Sequence, residues 1–272
     1  MRFTARAPAT SANVGPGFDC VAVALDLWNE LEVTDDGADT PDPQHLGVRA
    51  FNLVAPTQGL SFRFTTPIPR ARGLGSSAAV IALGLVAGCR VAGREPDPEE
   101  LLALGSPLEG HEDNLAACLT GGVCLTWEGR IARIADRVPA APIAVVPDTE
   151  VKTAAARASL PDTVPHADAA FTAGRAALLG AALAAGDPNL FAAALADRLH
   201  EPYRAAGAPL LAELRDAPPQ GALGTTISGS GPTVVVWARE DAAEACADEL
   251  TARFAVAKVL PLAVAAHGAA TA

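Results

Sequence analysis

Between Arg70 and Val80 the chain reads Arg-Ala-Arg-Gly-Leu-Gly-Ser-Ser-Ala-Ala-Val, and an alanine-rich apolar stretch runs from Ala78 to Cys89. Two glycines one residue apart let the backbone turn sharply and approach another group closely. The apolar stretch then calls for a helix buried around most of its circumference. A helix that begins at the serines leaves its first N–H groups unpaired and places the positive end of its dipole there. That geometry suits an anion, phosphate above all. A glycine turn ahead of a buried helix also serves purely as structure, and no lysine follows the second glycine as in a P-loop. The chain has only two lysines, Lys152 and Lys258, neither in a glycine-rich loop. A nucleotide phosphate held here is neutralised by backbone dipoles, a metal and arginines.

Size and charge set the surroundings. The 272 residues suffice for two modest domains with real cores. Half of them are hydrophobic, which excludes disorder over any long span. A net charge of −11 argues against nucleic acid and anionic membrane as partners. No apolar run reaches the roughly 18 residues of a membrane span. The first residues, Met1 to Pro8, hold no apolar core of signal-peptide length. The five cysteines, Cys20, Cys89, Cys118, Cys124 and Cys246, show no metal-ligand spacing. They read as small hydrophobes in a reducing compartment, which predicts a cytoplasmic protein.

Local patterning predicts a strand over Arg2–Ala7 ended by Pro8, a second over Leu25–Thr34, and a polar loop over Thr34–Gly47. Phe62 and Phe64 have strand spacing within Ser61–Thr66. The buried helix runs over Ser76–Arg90, with Gly93 as its stop. Asp97-Pro98-Glu99-Glu100 is a helix start: an N-cap, a proline at the first position, then acids. Strands follow at Gly121–Trp127 and Pro142–Pro147, with a domain boundary in the segment between them. The second half predicts helices over Ala167–Ala185, from Asp187 toward His200, over Pro209–Ala217 and over Asp241–Phe254. It predicts strands at Thr225–Ser228, Thr233–Ala238 and Val256–Leu262. Interleaved strands and helices in both halves mean α/β or α+β layers.

Three further constellations bear chemistry. Pro8-Ala-Thr-Ser-Ala-Asn13-Val-Gly-Pro-Gly-Phe-Asp19 is a tight turn that presents Asn13 and Asp19, either to a ligand or to the turn's own backbone. Glu109-Gly-His111-Glu112-Asp113-Asn114 gathers polar groups ahead of an apolar run. Glu109 suits magnesium, which takes few protein carboxylates, with a serine hydroxyl of the glycine loop as second ligand. The same acids also suit a solvated helix start. Lys152-Thr153-Ala-Ala-Ala-Arg157, His200-Glu201-Pro-Tyr203-Arg204 and Ile227-Ser228-Gly229-Ser230-Gly231-Pro232 make up the third. Its arginines hold carboxylates or phosphates, or are surface charge. Its glycines close on a ligand or form a hairpin turn.

Taken together, these segments resemble the GHMP kinases, a superfamily of small-molecule kinases, and within it the homoserine kinases. Pro-Ala-Thr-Ser-Ala-Asn, Arg-Gly-Leu-Gly-Ser-Ser and Ile-Ser-Gly-Ser-Gly-Pro look like the superfamily's three motifs, in order. Pro-Gly-Phe-Asp-Cys, Glu-Gly-His-x-Asp-Asn and Arg-Leu-His-Glu-Pro-Tyr-Arg are similar to the homoserine kinases. The likeness spans Ala7 to about Leu260. Two features depart from it: Glu112 stands where the family usually has proline, and the stretch from Asp35 to Arg70 is short. The second leaves the nucleotide-base contacts unassigned.

The resemblance implies an α+β fold of two domains. Residues 1–138 would form an ATP-binding domain like domain two of ribosomal protein S5. Residues 139–272 would form a ferredoxin-like domain, with the active site between the two. It implies transfer of the ATP γ-phosphoryl group to the side-chain hydroxyl of L-homoserine, a step of threonine biosynthesis. Mevalonate, a sugar or a diphosphocytidyl compound are the alternatives within the superfamily. Magnesium is the implied cation and a homodimer the implied assembly. By the same likeness, Arg70, Arg72, Gly73, Leu74, Gly75, Ser76, Ser77 and Ala78 hold the nucleotide, and Ser77 and Glu109 the metal. Asn13, Asp19, Arg157, Arg204, Gly229, Ser230 and Gly231 bind the substrate. His111, Asp113, Asn114 and Thr153 lie at the reacting end. Asp19 pairs with the ammonium, Arg157 and Arg204 with the carboxylate. Loose phosphoryl transfer depends on positioning and charge stabilisation, so no dedicated carboxylate base is expected.

Overall fold

The computed structural model describes residues 1–37 and 41–272. Part of the predicted 34–47 loop lies outside the described residues. In chain order the strands are β1 (Arg2–Asn13), β2 (Gly17–Thr34), β3 (Ser61–Thr65), β4 (Val123–Trp127), β5 (Arg130–Ala135) and β6 (Ala141–Val146). They continue with β7 (Ala222–Ile227), β8 (Val234–Ala238), β9 (Lys258–Pro261) and β10 (Ala270–Thr271). The helices are α1 (Leu46–Asn52), α2 (Ser76–Ala92), α3 (Pro98–Glu109), α4 (Asp113–Thr120) and α5 (Thr153–Ala158). After them come α6 (His166–Ala185), α7 (Pro188–Ala194), α8 (Glu201–Arg204), α9 (Leu210–Asp216) and α10 (Ala243–Arg253).

Two antiparallel sheets organise these elements, in keeping with the α+β expectation. The first has the order β10-β1-β2-β4-β5, with β3 also paired to β2. The second has the order β7-β8-β6-β9. The chain passes from one sheet to the other between β5 and β6, and residues near the chain end return to pair β10 with β1.

Helix α2 is the centre of the first half. Every residue from Ala78 to Cys89 except Val80 is buried. Its alanines and glycines let neighbours come close. A methyl group on Gly84 would overlap the carbonyl oxygen of Gly47, so α1 crosses α2 at backbone contact. Gly93 ends α2 in the left-handed conformation, as predicted. Asp97 caps α3 by accepting from Glu99 N at 3.0 Å and Glu100 N at 3.1 Å.

In the second sheet all of β8 is buried, because helices cover both faces. Val234, Val236 and Ala238 face one cluster with Leu211, Leu214 and Leu250. Val235 and Trp237 face the other way and join the main core with Phe191, Leu183 and Leu31. Trp237 meets Phe191 edge-on at 5.4 Å. One apolar cluster therefore runs through both halves of the molecule.

Several expectations need correction. Pro8 does not end the first strand: it lies inside β1, at a register shift between Pro8 and Ala9, where a missing N–H is tolerated. The polar loop stops at His45, which caps α1 by accepting from Gly47 N at 3.2 Å on Nδ1. The helix after Asp187 stops at Ala194 rather than reaching His200. Asp197 takes the next N–H groups for itself, accepting from Leu199, His200 and Glu201 at 3.0, 2.7 and 2.8 Å. The strand at 258–261 is not the last, since β10 follows.

Gly84→Ala should lower stability by about 1–3 kcal/mol through overpacking at the α1–α2 crossing. Urea denaturation followed by far-UV circular dichroism checks this; an unchanged midpoint would contradict the crossing.

Candidate active site

A cavity of about 820 Å³ lies where the two sheets meet. Its floor is the loop before α2. There the carbonyls of four successive residues are each taken by a donor from elsewhere. Val151 N donates to Ala71 O at 3.1 Å, Thr233 N to Arg72 O at 3.2 Å, and Thr10 N to Leu74 O at 3.2 Å. The Ser228 hydroxyl donates to Gly73 O at 2.6 Å. Gly73 has φ +82, and a methyl group there would overlap the carbonyl oxygen of Ser228. Only glycine fits that approach. With the carbonyls turned into the protein, Gly75 precedes α2 without any side-chain cap. The first-turn N–H groups of a seventeen-residue helix are thus open to an anion in the cavity.

Most predicted residues line this cavity. Asn13, Asp19, Arg70, Arg72, Gly73, Gly75, Ser76, Ser77, Glu109, His111, Asp113, Asn114, Thr153, Arg157, Arg204, Gly229 and Ser230 all do so. Three do not. The side chains of Leu74 and Ala78 are fully buried in the core, so only their backbones remain for a ligand. Gly231 lies behind the turn, beside Ala208 and Ile227.

The metal-side pair is in contact: Ser77 Oγ donates to Glu109 Oε1 at 2.7 Å. Burial pushes the Glu109 carboxyl pKa up, against the pull of His111 and Ser77. Among the described residues no cluster of three or more His, Cys, Asp or Glu side chains is set to hold a metal. One hydroxyl and one buried carboxylate form a donor set that would suit a magnesium ion bound largely by phosphate and water. Glu112 does not add charge here. Its carboxylate turns to the β4–β5 hairpin and accepts from Gly129 N at 3.2 Å.

His111 stands between carboxylates, with Nδ1 3.3 Å from Asp113 Oδ1 and Nε2 3.9 Å from Glu109 Oε1. Burial pushes its pKa down, but the two carboxylates outweigh burial and hold it above the ordinary histidine value. Asp113 Oδ1 also accepts from Asn114 N at 2.7 Å. The amide oxygen of Asn114 accepts from the Thr10 hydroxyl at 2.6 Å.

Opposite lies a cationic wall. Arg157 grips Asp19 with both guanidinium nitrogens, at 2.9 and 3.0 Å. The hydrogen bond to Asp19 raises the Arg157 pKa. Arg204 is buried, and burial lowers its pKa. It donates from Nη1 to Gly229 O at 3.2 Å, while its buried Nε has no partner. Asn13 staples the turns together, donating to Gly229 O at 2.8 Å and accepting from Asp19 N at 3.0 Å. Thr153 Oγ1 lies 3.4 Å from Ser230 Oγ across the mouth. Arg72 is engaged within the protein: it donates to Pro147 O, Arg70 O and Asp148 O at 2.9, 3.1 and 2.5 Å and pairs with Glu150 at 3.0 Å. It holds the glycine loop against the segment that follows β6.

Sequence reasoning missed several contributors. Thr10 and Ser228 stand inside quoted motifs, yet nothing in one sequence marks their hydroxyls as buried bonds to the glycine loop and Asn114. Phe18 stacks on His200 with ring centroids 4.9 Å apart, and the guanidinium carbons of Arg204 and Arg157 lie 4.9 and 5.9 Å from the Phe18 centroid. His200 is fully buried and lies 2.8 Å from Gly15 O through Nε2; burial lowers its pKa. The far end of the cavity is lined by Gln44, His45, Phe64, Thr66 and Val80. His45 and Phe64 have ring centroids 4.1 Å apart.

Because the folded pKa of His111 lies above 6.5, its stabilising contribution is complete below pH 6.5 and is lost as pH rises through the folded value. His111→Gln should therefore flatten the fall in melting temperature above pH 6.5. A wild-type slope in the variant would contradict the assignment.

Comparison with known proteins fits this geometry. The GHMP kinases N terminal domain family matches residues 45–122, and the GHMP kinases C terminal family matches residues 179–256. A homoserine kinase of Streptomyces coelicolor is 42% identical over 264 residues, 88% of this chain and 85% of that protein. A homoserine kinase of Gloeobacter violaceus is 42% identical over 267 residues, 88% of this chain and 89% of that protein. The crystal structure of homoserine kinase from Cytophaga hutchinsonii superposes with a TM-score of 0.86 at 26% identity, covering 100% of this chain and 97% of its own. A mevalonate kinase crystal structure, at 13% identity and TM-score 0.72, shares the fold.

Proposed function

This chain belongs to the GHMP kinases and, among them, to the homoserine kinases, and we infer that it transfers the γ-phosphoryl group of ATP to the side-chain hydroxyl of L-homoserine. The observation that carries the reading is the buried guanidinium of Arg204, with an unpartnered Nε, beside Asp19 and Arg157 at one cavity with the open start of α2. A substrate with both an ammonium and a carboxylate meets partners for each. Mevalonate and sugars bring no ammonium for Asp19.

The residues divide the work. Backbone N–H groups of Gly75, Ser76, Ser77 and Ala78 cradle phosphate oxygens, with Arg70 at the rim. His45, Phe64 and Val80 give the adenine an apolar end. Ser77 and Glu109 would hold magnesium, which would neutralise charge on the phosphate chain. Arg204 and Arg157 take the substrate carboxylate, and Asp19 the ammonium. Gly229 and Ser230 close over it, and Thr153 stands at the mouth. His111 and Asn114 stand beside the hydroxyl, and holding it in line with the γ-phosphorus can contribute up to roughly 7–11 kcal/mol of barrier reduction. Asp113 is turned inward to Asn114 and His111, which suits a positioning role rather than that of a base. Proton loss to phosphate or water then comes late.

Wider features belong to the same reading. The change of sheet between β5 and β6 supports a division into 1–138 and 139–272, with β10 returning to the first sheet. All five cysteines are free thiols, in keeping with a cytoplasmic protein. No helix among the described residues is long and apolar enough to cross a membrane. The homodimer rests on family likeness, and sedimentation checks it.

Coupled ADP production with homoserine, mevalonate and galactose in parallel tests the substrate. Homoserine alone should give turnover, and turnover with another alcohol but not homoserine would refute the reading. Arg204→Ala should raise the homoserine KM about 10- to 100-fold, the loss of about 1.5–3 kcal/mol for a charge-assisted contact, with the ATP KM little changed. Asp113→Asn should keep measurable turnover. A dead variant with intact affinities would make Asp113 the base.

A further inference from the structure

The substrate socket already contains one carboxylate gripped by one guanidinium. Arg157 holds Asp19 through two parallel hydrogen bonds of 2.9 and 3.0 Å, the geometry of a bidentate ion pair. The same two groups serve the ammonium and the carboxylate of a zwitterionic substrate. Asp19 is set for this by its backbone: it has φ +56, an uncommon conformation for a residue with a side chain, and its N–H is fixed by Asn13. Arg204, the other cation of the wall, bonds Gly229 O and leaves Asp19 to Arg157.

We propose that the Asp19–Arg157 pair is a specificity device that stands in for the charges of a zwitterion and favours a ligand that returns both. A zwitterion gives Asp19 an ammonium and Arg157 a carboxylate, so breaking the pair leaves neither group stranded. A ligand with one charge satisfies one partner and strands the other. The pair thus disfavours a hydroxy acid and an amino alcohol by a few fold, for opposite reasons and without a steric barrier. Asp19 and Arg157 side chains are 39% and 44% exposed, so the pair is worth what an exposed pair is worth and opens readily. This inference rests on the amino-acid substrate reading.

The proposal predicts a gain where a simple contact role predicts a loss or nothing. 3-Aminopropan-1-ol is homoserine without its carboxylate, and 4-hydroxybutanoate is homoserine without its ammonium. Arg157→Ala frees Asp19, so it should bind 3-aminopropan-1-ol about two- to fivefold more tightly than the wild type while binding homoserine more weakly. Asp19→Asn frees Arg157 and should gain similarly for 4-hydroxybutanoate. Titration calorimetry on the full chain with magnesium and a non-hydrolysable ATP analogue reads both. Arg198→Gln removes a guanidinium that pairs with Asp168 rather than Asp19, and it should leave 3-aminopropan-1-ol affinity unchanged. Equal gains in Arg198→Gln and Arg157→Ala would assign the effect to the general field and overturn the proposal, as would no gain in either pair variant. A crystal structure with homoserine should show Asp19 and Arg157 apart, each on the ligand; an intact pair beside bound homoserine overturns it. Failure of the substrate reading shows separately, as absent homoserine turnover in the wild type, while the analogue titrations still judge the pair.

Discussion

Everything at the active site depends on how the carbonyls of residues 71–74 are disposed of. A glycine-rich loop presents N–H groups to an anion only if its carbonyls face elsewhere. Here Val151, Ser228 and Thr233 take three of them and Thr10 the fourth. Three donors come from beyond β6 and one from β1. The open N–H surface is therefore not a property of the loop alone. It exists only when the second half of the chain has folded against the first. The close contact of Gly73 with Ser228 and the cluster shared by Leu31, Phe191 and Trp237 enforce the same seam.

That seam explains why an acidic protein can hold a polyanion. Local geometry decides, and net charge matters little over about 8–10 Å of screened water. At the loop, neutral backbone dipoles supply positive potential without lysine. Across the cavity from Asp113 and Glu109 stand Arg157 and Arg204, with Asp19 held against Arg157. The cavity thus offers both signs of charge, as a zwitterion and a phosphate chain with a bound cation would need.

The glycine loop, α2 and the cap at Asp97 were legible in the sequence because each depends on a local rule: glycine conformation, apolar continuity, an N-cap with proline. The motif residues that line the cavity were legible because their order matches a known family. Other features were not, and the reason is physical. The helix after Asp187 stops because Asp197 competes for its N–H groups, a choice made by one side chain among several acids. Pro8 sits inside β1 because a register shift accommodates it, and register is set by the partner strand. Arg72 reads as a phosphate ligand beside the glycines, yet three carbonyls and Glu150 surround it, all but one of them more than seventy residues away. Long-range hydrogen bonds of that kind leave no mark on the local text.

The ring of Phe18 carries one more consequence. It lies flat on the buried imidazole of His200 and faces the guanidinium carbons of Arg204 and Arg157. An aromatic face attracts a cation through its quadrupole, not through lone pairs. It can steady a planar cation without consuming N–H groups. A carboxylate in the same place would steady the arginines too, but it would also cancel their charge. Phe18 thus steadies Arg204 without taking its N–H groups or cancelling its charge, and that charge remains available to an anionic head group.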